Sequence, residues 1–218
     1  MKRSGYALGI LLVLLAAFVP RVSADGPAPG RAGRAEIRFI EGMIDHHQMA
    51  IDMANDCLAK ASTEEVLALC QEIIDKQTAE ITTLHDWLLA WYGIDYNPVP
   101  MMEMMGMMGM MPGGMMGNGM RPGGMMTGDM MGGDMMMFDP PMMMGMMSSL
   151  NFLEGQEYEA AFLEAMIDHH DDAVRMSERV LNHAEHQELR DMAQQIIDDQ
   201  TAEIQAMEEM LTTLGVEA

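Results

Sequence analysis

From Phe39 onward the apolar positions recur every three or four residues. In a first run, Ile40, Met43, Ile44, His47, Ala50, Ile51, Ala54 and Leu58 fall on one side of a helix. A second run carries Val66, Leu69, Ile73, Ile74, Ile81, Leu84 and Leu88. Ser62 and Glu65 have the spacing of a capping box that opens this second helix, and Gly93 is a natural stop. The same two-helix pattern returns from Gln156 to Leu214, with a break near His183 to His186. No stretch alternates as a strand does. Two hairpins, each with one apolar stripe, hide those stripes most economically against each other, so the expected class is all-α, a four-helix bundle.

The two hairpins are copies. Phe39 to Trp91 aligns without gaps on Phe162 to Leu214 at an offset of 123, and 22 of the 53 positions are identical, too many for shared composition alone. Met43-Ile44-Asp45-His46-His47 matches Met166-Ile167-Asp168-His169-His170, and Gln77-Thr78-Ala79-Glu80-Ile81 matches Gln200-Thr201-Ala202-Glu203-Ile204. The expected organisation is a hairpin over residues 36–93, a connection over 97–149 and a second hairpin over 155–215. Gly and Pro interrupt every run of that connection, which holds 23 of the 32 Met; it reads as a disordered crossover.

Residues 1–24 are set apart from the fold. Lys2 and Arg3 precede an apolar run from Ala7 to Val19, and Val22-Ser23-Ala24 resembles a small-residue cleavage site. The expectation is an exported product, periplasmic or extracellular, with no stable membrane anchor after cleavage. Removing this segment leaves 9 basic against 34 acidic residues, a net charge of −25. That charge repels a phosphate backbone and argues against a nucleic-acid partner.

Candidate chemistry sits in three places. The crossover packs Met101, Met102, Met104, Met105, Met107, Met108, Met110 and Met111 onto a backbone with Gly spacers. A thioether is a soft ligand that carries no proton at physiological pH, so it suits Cu(I) and matches Zn²⁺, Mg²⁺ or Ca²⁺ poorly. An oxidant sink and an adaptable apolar surface are the alternatives for this tract. In the hairpins, His47 and His170 point near the middle of the stripe, and His46 and His169 lie at its edge. Two sites follow. Met43, His46 and Met53, with Met166, His169 and Met176, form mixed thioether–imidazole copper sites. Alternatively, His47, Glu80, His170 and Glu203 meet at the bundle centre as a buried cluster, whose bland counterpart is a satisfied His–Glu pair in each hairpin. Gln77 and Gln200 fall inside the same stripe.

Cys57 and Cys70 test the register of the first hairpin. Their numbers sum to 127, as do those of His47 and Glu80, as expected for positions facing each other across one antiparallel turn. Their counterparts, Val180 and Ala193, are apolar. A packing contact that closes as a disulfide in an oxidising compartment is favoured over a thiolate metal site.

The doubled Met-Ile-Asp-His-His motif, with Met53 and later Ile73-Ile74-Asp75-x-Gln77, resembles the exported CopM-like family, domain of unknown function 305. The likeness covers residues 36–93 and 155–215. It implies a ferritin-like four-helix bundle and copper binding through Met and His, carried here by Met43, His46, His47, Met49 and Met53 with Met166, His169, His170 and Met176. Asp172 stands where the first copy has Met49. The expected function is non-enzymatic binding of copper, Cu(I) preferred, with Cu(II) and Ag(I) as further ions, for sequestration or for passage to a partner protein. A ferritin-like oxidase built on His47, Glu80, His170 and Glu203 is the enzymatic rival, and a Met-rich interaction module is another. Oligomeric state is left open, because the hairpins pair equally well within a chain or between two.

Overall fold

A computed structural model describes residues 26–98 and 150–215. The leader and all but the first two residues of the Met-rich connection lie outside them. Among the described residues the chain forms α1 (Gly30–Lys60), α2 (Glu64–Tyr92), α3 (Gly155–Leu181) and α4 (Gln187–Leu214), with no strand. The class is all-α, and the break near His183 is the turn between α3 and α4. Helix α1 starts at Gly30, six residues before the expected hairpin boundary at residue 36. Gly33 permits this, because a Cβ there would meet the carbonyl oxygen of Ala28 at 2.1 Å. Gly93 and Gly215 end α2 and α4 with φ of 68° and 81°, a conformation that suits glycine.

Helices α1 and α3 are the inner pair and run antiparallel. Tyr158 donates to Asp56 at 2.9 Å near one end, the rings of His46 and His169 meet in the middle, and Met176 lies against Gly42 at the other. The hairpins are therefore related by an approximate two-fold axis through His46 and His169, residues that are themselves counterparts in the duplication. Apolar packing divides into two clusters on either side of this point. One joins Met49, Met53, Cys57, Leu69 and Ile73 to Tyr158, Phe162, Met166 and Met207. The other joins Phe39, Met43, Leu84, Trp87 and Trp91 to Ala173, Met176, Leu189 and Ile196. Each cluster thus combines the turn end of one hairpin with the open end of the other, and neither hairpin can complete a core alone.

The capping box expected at Ser62 and Glu65 does not form. Thr63 is the N-cap and makes no side-chain bond to its own helix. Instead Glu159, from α3, accepts the N–H groups of Ser62 and Thr63 at 2.7 and 2.9 Å and both their hydroxyls at 3.1 and 2.5 Å. Its counterpart Glu36, from α1, does the same for α4. It accepts the N–H of Glu185 and His186 at 2.6 and 3.0 Å, the His186 ring at 2.6 Å and the Tyr92 hydroxyl at 2.5 Å. A buried carboxylate aimed at a helix N-terminus satisfies orphan donors and meets the positive end of the dipole, which outweighs a local hydroxyl cap. Burial alone pushes both carboxyls up, but the hydrogen bonds from Tyr92 and His186 on Glu36, and from Thr63 and Ser62 on Glu159, bring each below its ordinary value. Cys57 and Cys70 are bonded to each other, with Cα atoms 6.4 Å apart.

Candidate metal centre

Between the two apolar clusters lies a belt of buried polar side chains. His46 and His169 are 1% and 0% exposed, where the helical wheel puts them at the edge of the stripe. The wheel fails here because α1 packs against α2 on one side and α3 on the other, so its buried arc is wider than one stripe. Their ring centroids are 3.7 Å apart, tilted by 39°. His169 Nε2 donates to the backbone oxygen of His46 at 3.1 Å. His169 Nδ1 and both ring nitrogens of His46 have no hydrogen-bond partner. Burial, reinforced by the repulsion of neighbouring imidazoles, drives both rings well below the usual histidine range. They are therefore neutral at physiological pH and present unprotonated lone pairs in a desolvated place, as a metal ligand must.

The thioethers group differently from the sequence expectation. Met43 and Met53 are ten residues apart on α1, about 15 Å along the axis, so they do not join one ion with His46. The same spacing separates Met166 from Met176. The antiparallel crossing exchanges partners instead: Met43 shares a cluster with Met176, and Met49 and Met53 share one with Met166. All five are at least 96% buried. The histidine pair thus has two thioethers on one side and three on the other. Asp172, in place of the sixth, turns outward to Arg175 at 2.6 Å.

The four-residue cluster does not assemble. Among the described residues, no three His, Cys, Asp or Glu side chains stand close enough to share an ion. His47 Nε2 lies 2.7 Å from Glu80 Oε2, and His170 Nε2 is bonded to Glu203 Oε2 at 2.8 Å, one pair inside each hairpin. The reason is register: each His faces its own hairpin's Glu, and the rings of His46 and His169 occupy the axis between them. Lys76, which the sequence reading missed, donates to Glu203 at 2.7 Å and to Glu72 at 3.0 Å. Burial pushes the Glu203 carboxyl up, but His170 and Lys76 outweigh it and hold it low. Gln77 and Gln200 are 2% and 3% exposed, and neither amide oxygen has a partner. The tract from Met101 to Met111 lies outside the described residues.

Two like hairpins crossing at a buried imidazole pair, with thioethers in the apolar clusters on either side, define an all-α helical bundle. The chain belongs to the DUF305 family (Domain of unknown function), whose family model matches residues 36–211. It is similar to CopM in the Cu(II)-bound form, with 29% identity, a TM-score of 0.56 and coverage of 82% of this chain and 96% of that one. Likeness to CopM in the Cu(I)-bound form, at 24% identity and TM-score 0.57 over the same shares, concerns the fold. So does likeness to a DUF305 protein from Streptomyces coelicolor, at 23% identity and TM-score 0.60 over 84% of this chain and 94% of that one. No curated protein matches the chain. Among the described residues, no helix is long and apolar enough to cross a membrane.

Proposed function

We propose that this chain is an exported, non-enzymatic copper-binding protein that takes up Cu(I), and also Cu(II) and Ag(I), to sequester them or hand them to a partner protein. The observation that carries this reading is the buried His46–His169 pair, whose unpartnered nitrogens lie between Met43 and Met176 on one side and Met49, Met53 and Met166 on the other. Neutral imidazole and thioether together suit a soft monovalent ion, and neither has to lose a proton to bind it. Glu80 and Glu203, one helix away, lessen the cost of bringing a positive charge into a low-dielectric centre. The Cu(II) held by CopM supports the same choice of metal. The Met101–Met111 tract adds further thioethers on the chain between the hairpins and acts as the first point of capture.

An anaerobic Cu(I) titration against a coloured Cu(I) chelator tests this reading. The parent is compared with a form lacking residues 97–149 and with H46A/H169A. Several equivalents are expected in the parent, most of them lost with the tract and the bundle's own lost with the histidines. Failure of the parent to compete with even a weak chelator overturns the proposal. Equal stoichiometry with and without the tract overturns the tract's part in it.

A further inference from the structure

The end of the bundle around Glu36 holds an aromatic set that the duplication does not repeat. Both tryptophans of the chain stand there. Trp87 and Trp91 are stacked, with ring centroids 5.1 Å apart and planes 13° apart. Trp91 lies flat on the His186 ring at 3.9 Å, and Tyr92 meets the same imidazole edge-on at 6.2 Å. At the offset of 123 the counterparts of Trp87, Trp91, Tyr92 and His186 are Met210, Leu214, Gly215 and Thr63. The matching places at the Glu159 end therefore take no aromatic ring, and Glu159 still caps its helix. Neither the cap nor the core requires this stack.

Two details of the set go beyond packing. Trp87 and Trp91 are 0% and 2% exposed, and neither indole N–H has a hydrogen-bond partner, a rare omission for buried donors. Tyr92, next in sequence to Trp91, is half-buried and donates its phenolic proton to Glu36 Oε2 at 2.5 Å. The His186 ring holds the same oxygen at 2.6 Å. Burial and the bond to Glu36 push the Tyr92 phenol up, so it keeps its proton until it is oxidised.

We propose that Trp87, Trp91 and Tyr92 form a one-electron relay that carries an oxidising equivalent out of the apolar cluster and leaves it on Tyr92 as a neutral phenoxyl radical, with Glu36 as proton acceptor. Trp87 is the entry, because it lies in the cluster that also holds Met43 and Met176. The oxidant is of the hydroxyl-radical class, formed when Cu(I) reduces hydrogen peroxide; that source rests on the copper reading above. It takes one electron from Trp87, leaving an indole radical cation and hydroxide. Trp91 then gives an electron to Trp87. With no acceptor at Nε1, neither indole can shed its proton, so the positive charge stays mobile and costly to hold in the core. Tyr92 ends the sequence by giving an electron to Trp91 and its phenolic proton to Glu36 Oε2, already within proton-transfer reach. Two intact indoles, a phenoxyl radical and a neutral carboxylic acid remain, and the buried charges of the radical cation and the carboxylate are both gone. His186 is a positioning residue that orients the carboxylate.

The test uses the metal-free full chain. A nanosecond ultraviolet flash at the long-wavelength edge of the absorption, where only tryptophan absorbs, ejects an electron from a buried indole, and a cobalt(III) ammine takes that electron up. Transient absorbance follows the indole radical and the phenoxyl radical in the parent, Y92F, W91F and W87F, with far-UV circular dichroism to check folding. In the parent the indole signal should decay as the phenoxyl signal rises, more slowly in heavy water than in light water. The rise should be lost in Y92F and in W91F, where the indole radical persists, and kept in W87F. A parent without a phenoxyl rise, a parental rise in folded Y92F or W91F, or equal rates in the two waters overturns the relay. Should W91F not fold, Y92F and the isotope effect decide the matter. No copper is present, so failure here and failure of the copper reading are separate results.

Discussion

Replacing Glu159 with alanine removes one carboxylate that takes four hydrogen bonds, at 2.5–3.1 Å, from the two residues that open α2. Loss of an ordinary N-cap costs about 0.5–2 kcal/mol, and a single hydrogen bond to a charged group is worth about 1.5–3 kcal/mol. Water reaches some of the abandoned donors at the end of the bundle, so the four bonds do not add, and the expected loss is about 3 kcal/mol. That is a large part of the ~5–15 kcal/mol that holds a domain together. Urea unfolding at neutral pH, followed by far-UV circular dichroism, should show a midpoint lower by about 1.5 M for a slope near 2 kcal/mol/M. Glu36→Ala should cost as much, because Glu36 makes the equivalent contacts at α4. The sign of the pH effect follows from the folded carboxyls lying below their ordinary 4.5. Their contribution is complete above that value and is lost as pH falls through the lower folded value, because protons then bind the unfolded chain first. The parent should therefore lose more stability than either variant between about pH 5 and pH 3. A loss under about 0.5 kcal/mol in E159A, or an acid limb identical to the parent's, would refute the reasoning and return the cap to Ser62 and Glu65.

Met53→Leu and Met166→Leu should cost less than about 1.5 kcal/mol each, since volume is nearly conserved, yet the pair should weaken anaerobic Cu(I) and Ag(I) binding measured on the tract-deleted form. Reducing the Cys57–Cys70 bond, which spans a separation of 13 residues, should cost about 3 kcal/mol. Thermal unfolding with and without a phosphine reductant should then differ by roughly 6–12 °C, with Cu(I) stoichiometry unchanged. Tyr158→Phe removes the bond to Asp56 and should lower stability by about 1 kcal/mol, read from the same urea transitions.

The hairpins, their duplication and the pairs His47–Glu80 and Cys57–Cys70 were legible because each depends on local periodicity and on one short turn. What was not legible depends on the other hairpin. Glu159 is far in sequence from the helix it caps, and the local Ser62–Glu65 spacing offered a cheaper explanation. A signal was nonetheless present: Glu36 and Glu159 are counterparts at the offset of 123, each three residues before the phenylalanine that opens its copy of the repeat, Phe39 or Phe162. The thioether sets were misassigned for the same reason. Reading each copy alone groups residues along one helix, whereas an antiparallel crossing puts Met43 in one apolar cluster with Met176 and Met53 in the other with Met166. Lys76 carries no such signal, because it is a position at which the two copies differ, with Asp199 as its counterpart.

The reciprocal caps also bear on how the chain is born. The donors at Ser62 and Thr63 await a carboxylate 97 and 96 residues later in the sequence. At about 5–20 residues per second, a ribosome needs roughly 5–20 s to reach it. Throughout that interval the first hairpin has one helix unsealed and half a core uncovered, and the whole Met-rich connection is made before relief arrives. The nascent amino-terminal half is thus kept from settling early, and the late arrival of Glu159 marks the moment at which the two halves can commit to each other.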